Sequence, residues 1–158
     1  VRRQFGKTIV ELAERDPNLV LLIGDVFQNM EEFRDRFLGR LFNFGLTEQS
    51  MMSAAAGMAM EGLRPVVYSI TPFLIERPFE QIKIDIDEQN LPVMLVGYDD
   101  YPTHGPTHRP LNAKGLVGLF KNVRGYFPSD SAALERGMLD AYQSRCPSII
   151  CMKKDSAA

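Results

Sequence analysis

The chain counts 158 residues, is 45% apolar and carries a formal net charge of −2, with both signs mixed along its length. One domain with a sizeable core fits that length, and the lack of a basic stripe excludes nucleic acid or an anionic membrane as the main partner. No apolar run approaches the roughly 20 residues needed to span a bilayer, and no charged-then-apolar leader follows Val1, which points to a cytoplasmic protein.

In chain order, Phe5, Ile9, Leu12 and Ala13 share one helical face over residues 1 to 15, and Pro17 closes that stretch. The all-apolar run Leu19 to Ile23 follows and ends in Gly24-Asp25, which predicts a buried strand. Residues 29 to 38 are polar and helix-like, and 41 to 44 make a short strand. Behind Gly45, the segment Thr47-Glu48-Gln49-Ser50 opens a small-residue helix that begins at about Met51. Thr47 suits its N-cap, and Met51, Met52, Ala55 and Ala59 fall on one face. Pro65 to Ser69 predicts a strand, and 78 to 90 a helix with Pro78 in its first turn and Phe79, Ile82 and Ile86 turned inward. Pro92 to Gly97 is another apolar strand, 112 to 121 and 130 to 144 are helices, and Ser148 to Met152 is a closing strand. Helices alternating with strands that are apolar on both faces mean an α/β fold, a three-layer α/β/α arrangement around a mainly parallel sheet. Residues 1–155 form one domain in this reading, and 156–158 a tail. Ligands of such sheets gather beyond the carboxyl ends of the strands, where Asp25, Gly45 to Glu48, Ser69 to Phe73 and the loop 98 to 110 emerge.

Glu48 is the most suggestive of these residues. The helix dipole favours a carboxylate in a first turn with no further role, and the same place suits an acid that exchanges protons at the mouth of a cleft. Both histidines, His104 and His108, fall in YDDYPTHGPTHRP, a loop long enough to be functional rather than filler. Two solvated imidazoles, a metal site with Asp99 and Asp100, and proton exchange with a bound substrate all suit the pair. Phe73 lies behind Pro72 and ahead of the next helical stripe, free to offer its ring to a planar ligand, whereas Phe79 is at least partly core. Cys146 and Cys151, placed along one strand, are separated by roughly 16 Å, too far for a mutual disulfide, so two reduced, buried thiols are expected. The chain holds no G-x-x-x-x-G-K-S/T and no G-x-G-x-x-G, and a phosphorylated cofactor would be held largely by another chain.

The block GLTEQSMMSAAAGMAMEGLRPVVYSITPFL, followed by GPTH at 105 to 108, resembles the pyrimidine-binding domain of thiamine diphosphate enzymes of the transketolase superfamily. The resemblance spans nearly the whole chain. It implies that Glu48 contacts the N1′ nitrogen of the cofactor's aminopyrimidine and shares a proton with it, a task that burial assists by raising a carboxyl pKa. It also implies that Phe73 stacks on that ring with Phe79 helping to enclose it, that Asp25 faces the cofactor or its coupled partner site, and that His108 bonds the carbonyl or hydroxyl end of the substrate. Arg3 aligns with an arginine that binds a sugar phosphate. Gly-Pro-Thr-His is similar to transketolases proper, while deoxyxylulose phosphate synthases carry a related Gly-Gln-Thr-His and 2-oxoacid dehydrogenase β subunits a histidine-rich loop.

Departures from the family pattern matter as well. His104 stands where an acid usually precedes Gly-Pro-Thr-His, which makes it a substrate contact with an altered choice among hydroxyl configurations. The Ser that often helps hold phosphate is missing at Ile23-Gly24-Asp25, in keeping with a non-phosphorylated or unusual ketose. The chain stops without a diphosphate-binding or third domain, so it looks like one subunit of a split enzyme. The expectation is the pyrimidine-binding subunit of a two-component transketolase-like enzyme that moves a two-carbon ketol unit between ketose and aldose substrates. Its diphosphate-binding partner would carry the Mg²⁺ ligands, this chain none, in an α2β2 assembly. The rival expectations are a 2-oxoacid decarboxylase/dehydrogenase or deoxyxylulose phosphate synthase-like subunit, and a non-catalytic scaffold or regulator.

Overall fold

The computed structural model of the protein describes residues 1–98 and 105–153. Its six strands are β1 (Leu19–Ile23), β2 (Leu41–Asn43), β3 (Arg64–Ile70), β4 (Met94–Tyr98), β5 (Arg124–Tyr126) and β6 (Ser148–Met152). They form one sheet in the order β2-β1-β3-β4-β6-β5, and every neighbouring pair is parallel. Strands β1, β3, β4 and β6 are buried along their full length, and the period of two divides their side chains between two cores. Leu21, Tyr68, Val96 and Ile150 face a core shared with α1 (Arg2–Arg15), α2 (Glu31–Phe37) and α6 (Ser131–Ser144). Leu22, Val67, Leu95 and Ile149 face the other, shared with α3 (Glu48–Met60) and the helical run that follows β3. The result is the expected three-layer α/β/α arrangement.

Several elements differ from the sequence reading, each for a local reason. Helix α3 begins at Glu48, in keeping with Thr47 as its N-cap residue, but the Thr47 hydroxyl donates to the carbonyl of Phe44 (2.7 Å) instead of capping the helix. After β3, Pro72–Glu76 is a π-helical turn closed by the Arg77 N–H on the carbonyl of Pro72 (3.3 Å). The helix expected over 78 to 90 is a short α4 (Phe79–Gln81), with Pro78 at its N-cap, that widens into π-helical Ile82–Asp87. The helix expected over 112 to 121 shrinks to α5 (Ala113–Val117), capped by Asn112. Beyond it the backbone is held by Asp87 instead. That buried carboxylate accepts from the N–H groups of Lys121 (2.9 Å), Asn122 (2.7 Å) and Val123 (2.9 Å).

Strand β5 was not expected; it is a three-residue edge with Arg124 and Gly125 exposed, so it lacks the apolar run that marks the inner strands. Cys146 precedes β6 and is only half-buried, whereas Cys151 lies within the strand and is buried; neither is part of a disulfide. The tail 156–158 lies outside the described residues. Among the described residues no helix is long and apolar enough to cross a membrane.

Candidate functional site

From β1 the chain runs outward to β2, then returns through α3 to place β3 on the other side of β1. At such a reversal the connections leave the sheet on opposite sides and open a crevice beyond the strand ends. A cavity of about 450 Å³ lies there. Asp25, Val26 and Phe27 line it from the exit of β1, Ile70 and Phe73 from the exit of β3, and His108 closes another side.

The turn after β1 is built by a few polar groups. Asp25 takes a left-handed backbone (φ 57°), a conformation that Asp tolerates better than most residues. Asn43 at the end of β2 fixes it there: its amide donates to Asp25 Oδ1 (3.0 Å), and its Oδ1 accepts the N–H groups of Asp25 (3.1 Å) and Gly45 (2.9 Å). Gly24 allows the close approach of the two turns, since a Cβ there would lie 3.0 Å from the carbonyl oxygen of Gly45. The segment entering α3 is thereby pinned beside the exit of β1.

Glu48, in the first turn of α3, is 4% exposed. Its Oε1 accepts from Arg77 Nη1 at 2.8 Å. The same guanidinium lies over Phe73, with Cζ 3.4 Å from the ring centroid, and the Phe73 and His108 rings form a T-shaped pair with 4.8 Å between centroids. Phe73 and Arg77 are four residues apart on one helical run, a spacing that puts both side chains on one face. His108 ends the 3₁₀ turn Pro106–His108, with its Nδ1 3.0 Å from the Thr107 hydroxyl. Glu76 fastens that segment to the π-helical turn by accepting the Leu111 N–H (2.7 Å). A continuous path of contacts thus runs Glu48, Arg77, Phe73, His108.

The structure therefore brings Asp25, Glu48, Phe73 and His108 to one end of the sheet. Glu48 does not itself line the cavity; it joins the wall through Arg77. Two further residues singled out in the sequence lie elsewhere. Phe79 stacks on Phe120 (4.8 Å between centroids) and packs against the core on the α3 side. Arg3 is exposed on α1 and does not line the cavity. Its neighbour Arg2 turns inward instead, 3.7 Å from the Tyr98 ring centroid and donating to Gln28 on the cavity wall. Arg2 stands three residues ahead of Phe5 on the same stripe as Ile9 and Leu12, a signal available in the sequence. His104, with Asp99 and Asp100, lies outside the described residues. Among the described residues no three His, Cys, Asp or Glu side chains converge as metal ligands would.

A flat nitrogen heterocycle fits this donor set, because a buried carboxylate and an aromatic face are already spanned by one planar N–H donor, the guanidinium of Arg77.

Comparisons with known proteins identify the family and the fold. Residues 1–158 match the family model described as "Transketolase, pyrimidine binding domain". The 1-deoxy-D-xylulose-5-phosphate synthase of Syntrophotalea carbinolica is 32% identical over 152 residues, which covers 90% of this chain and 23% of that protein. The protein of the same name from Aquifex aeolicus is 44% identical over 109 residues, covering 63% of this chain and 17% of that one. The chain thus spans a quarter or less of the length of these curated relatives. A solved structure described as "Split gene transketolase, inactive beta4 tetramer" superposes with a TM-score of 0.87 at 26% identity, covering 99% of this chain and 52% of that one. With a match along its whole length and the same fold around the crevice, the chain belongs to the transketolase pyrimidine-binding domain family.

Proposed function

We propose that this chain is the pyrimidine-binding part of a thiamine diphosphate-dependent transketolase-like enzyme that transfers a two-carbon ketol unit between ketose and aldose substrates. The observation that carries this reading is a buried acid, Glu48, linked to an aromatic face, Phe73, at the reversal point of the sheet. Thiamine diphosphate, when bound, supplies the nucleophilic thiazolium carbon that carries the transferred unit. Glu48 holds a proton at its carboxylate against the ring nitrogen. Phe73 gives the ring a surface, and Ile70 and Val26 keep water from that contact. Asp25, its carboxylate steadied by Asn43, faces the open side. His108 hydrogen-bonds the substrate's carbonyl or hydroxyl end, and His104 is assigned to the same loop role. Arg3 and Phe79 receive no part in the site, given where they lie.

The diphosphate and its Mg²⁺ are assigned to a partner subunit, in an α2β2 assembly, and a cytoplasmic location goes with this reading. Support for a separate partner is the likeness to a chain described as a split gene transketolase. A second reading, a deoxyxylulose phosphate synthase-like reaction with a 2-oxoacid donor, is favoured by the names of relatives at 32% and 44% identity.

Glu48→Gln in the complex copurified with its partner tests the proposal. Wild type should bind thiamine diphosphate with Mg²⁺ by calorimetry and consume a ketose. The variant should lose about 10²- to 10³-fold in turnover, the range of a positioned acid or base. Carbon dioxide release from pyruvate in place of ketose consumption would select the second reading. Equal turnover by the two proteins would remove Glu48 from the chemistry, whereas neither cofactor binding nor turnover by wild type would leave a scaffold.

A further inference from the structure

We propose that Arg77 is an internal stand-in for the cofactor ring: it occupies the seat between Glu48 and Phe73 in the unloaded protein and leaves it on binding. This inference rests on the functional reading above.

A guanidinium is flat, cationic and rich in N–H donors, so it can mimic an aminopyrimidine that offers a donor edge to a carboxylate and a face to a ring. Arg77 does both, with Nη1 2.8 Å from Glu48 Oε1 and Cζ 3.4 Å from the centroid of Phe73. That second distance is close stacking contact, so no other planar group fits on the same face of Phe73 while Arg77 lies there.

The asymmetry of burial says which partner moves. The Glu48 side chain is 5% exposed and sits in the first turn of α3, whereas the Arg77 side chain is 38% exposed and reaches in from the edge. A long aliphatic stem lets the charged head return to water without leaving a void in the core. The stand-in keeps a buried carboxylate paired, whose lone burial would be costly. Neither Glu48 nor Arg77 lines the cavity itself, and the pair meets it through the Phe73 ring. Loading is then a competition, and the apparent affinity is lowered by the fraction of molecules in which the seat is taken. A part-exposed ion pair with a ring contact biases such an equilibrium by about five-fold.

The test uses the complex copurified with its partner and thiamine diphosphate with Mg²⁺ as the probe, read by calorimetry and by the thermal melt rather than by activity. Arg77→Ala should bind about five-fold tighter than wild type. Millimolar guanidinium should refill the seat and weaken that binding competitively, while tetramethylammonium at equal ionic strength should not. Arg77→Lys keeps Glu48 paired but cannot stack flat, so it should fall between the two, and it carries the test if the Ala variant melts far below wild type. Equal or weaker binding by the folded variants, with wild type still binding, overturns the stand-in and leaves the cofactor reading intact. Absence of binding in wild type and both variants overturns the functional reading and this inference with it.

Discussion

Gly97→Ala should loosen the site from behind. Gly97 in β4 pairs with Ser69 in β3 and Cys151 in β6, beneath the π-helical turn that carries Phe73. A Cβ built there would lie 2.8 Å from Thr71 Oγ1, 3.1 Å from Thr71 Cα and 3.1 Å from Leu74 Cδ2. The leucine methyl can rotate away, but the Thr71 backbone can yield only by lifting the turn roughly half an ångström. Overpacking of this kind costs about 2 kcal/mol, which lowers the melting temperature of a chain this size by about 4–8 °C. Half an ångström at Phe73 and Arg77 should also reduce turnover by about tenfold, on the scale of misplacement effects in positioned sites. Gly39→Ala is the internal control, because nothing lies within 4 Å of a Cβ at that exposed position. Its stability should stay within about 0.5 kcal/mol of wild type. Thermal melts and turnover of both variants in the assembled protein decide the matter. If Gly97→Ala melts and turns over as Gly39→Ala does, the claim that the missing Cβ sets the height of the turn is wrong.

His108→Ala should lower kcat/KM by about 10²-fold while cofactor affinity by calorimetry stays within about twofold; an unchanged kcat/KM would take the imidazole out of substrate handling. Asp87→Ala deprives three backbone N–H groups of their carboxylate and should cost about 3 kcal/mol in urea unfolding, with Asp87→Asn nearer half of that because Asn keeps one acceptor oxygen. A loss below about 1 kcal/mol for the Ala variant would mean that water replaces the clamp. In alkali, burial and then the hydrogen bond to Asp140 push the Tyr126 phenol from its ordinary 10.0 up to about 12, and burial with the bond to Asp16 pushes Tyr142 up as well. The folded protein therefore keeps these protons over a range where the unfolded chain has lost them. Their contribution to stability is complete below about pH 10 and is lost as pH rises toward and past about 12. Urea midpoints across that window should fall for wild type and fall less steeply for the Tyr126→Phe, Tyr142→Phe double variant; parallel slopes would contradict the assignment.

The inner strands were legible because a strand buried on both faces must be apolar at every position, as Leu19 to Ile23 and the segment around Met94 to Tyr98 are. An exposed edge carries no such demand, which is why Arg124-Gly125-Tyr126 passed as loop. The π-helical turn escaped for a different reason. It adds residues to each turn without altering composition, so a search at 3.6-residue spacing places the next stripe correctly at Ile82 and Ile86 while missing the widened turn before it. That local irregularity borders the candidate site, where local regularity often gives way to function.

Position in the sequence singled out Glu48, Phe73 and His108 with several uses open, their proposed roles came from the family resemblance, and the fold supplies their proximity. Taken alone, Glu48 is a carboxylate in a first helical turn, favoured there by the dipole whatever its use. Its distinction comes from the crossing of the chain from β2 through α3 to β3, which sets the start of α3 beside the exit of β3 although Glu48 and Phe73 are 25 positions apart. Arg77 bridges these two residues. In the sequence it precedes Pro78 and looks like a solvated surface cation, but four residues after Phe73 on the widened turn it spans the gap between ring and acid. In the proposed exchange the buried acid stays paired either by a guanidinium whose head can return to water or by a bound ligand. The same two contacts that make the cleft hospitable to a flat donor are therefore those that close it when the donor is absent.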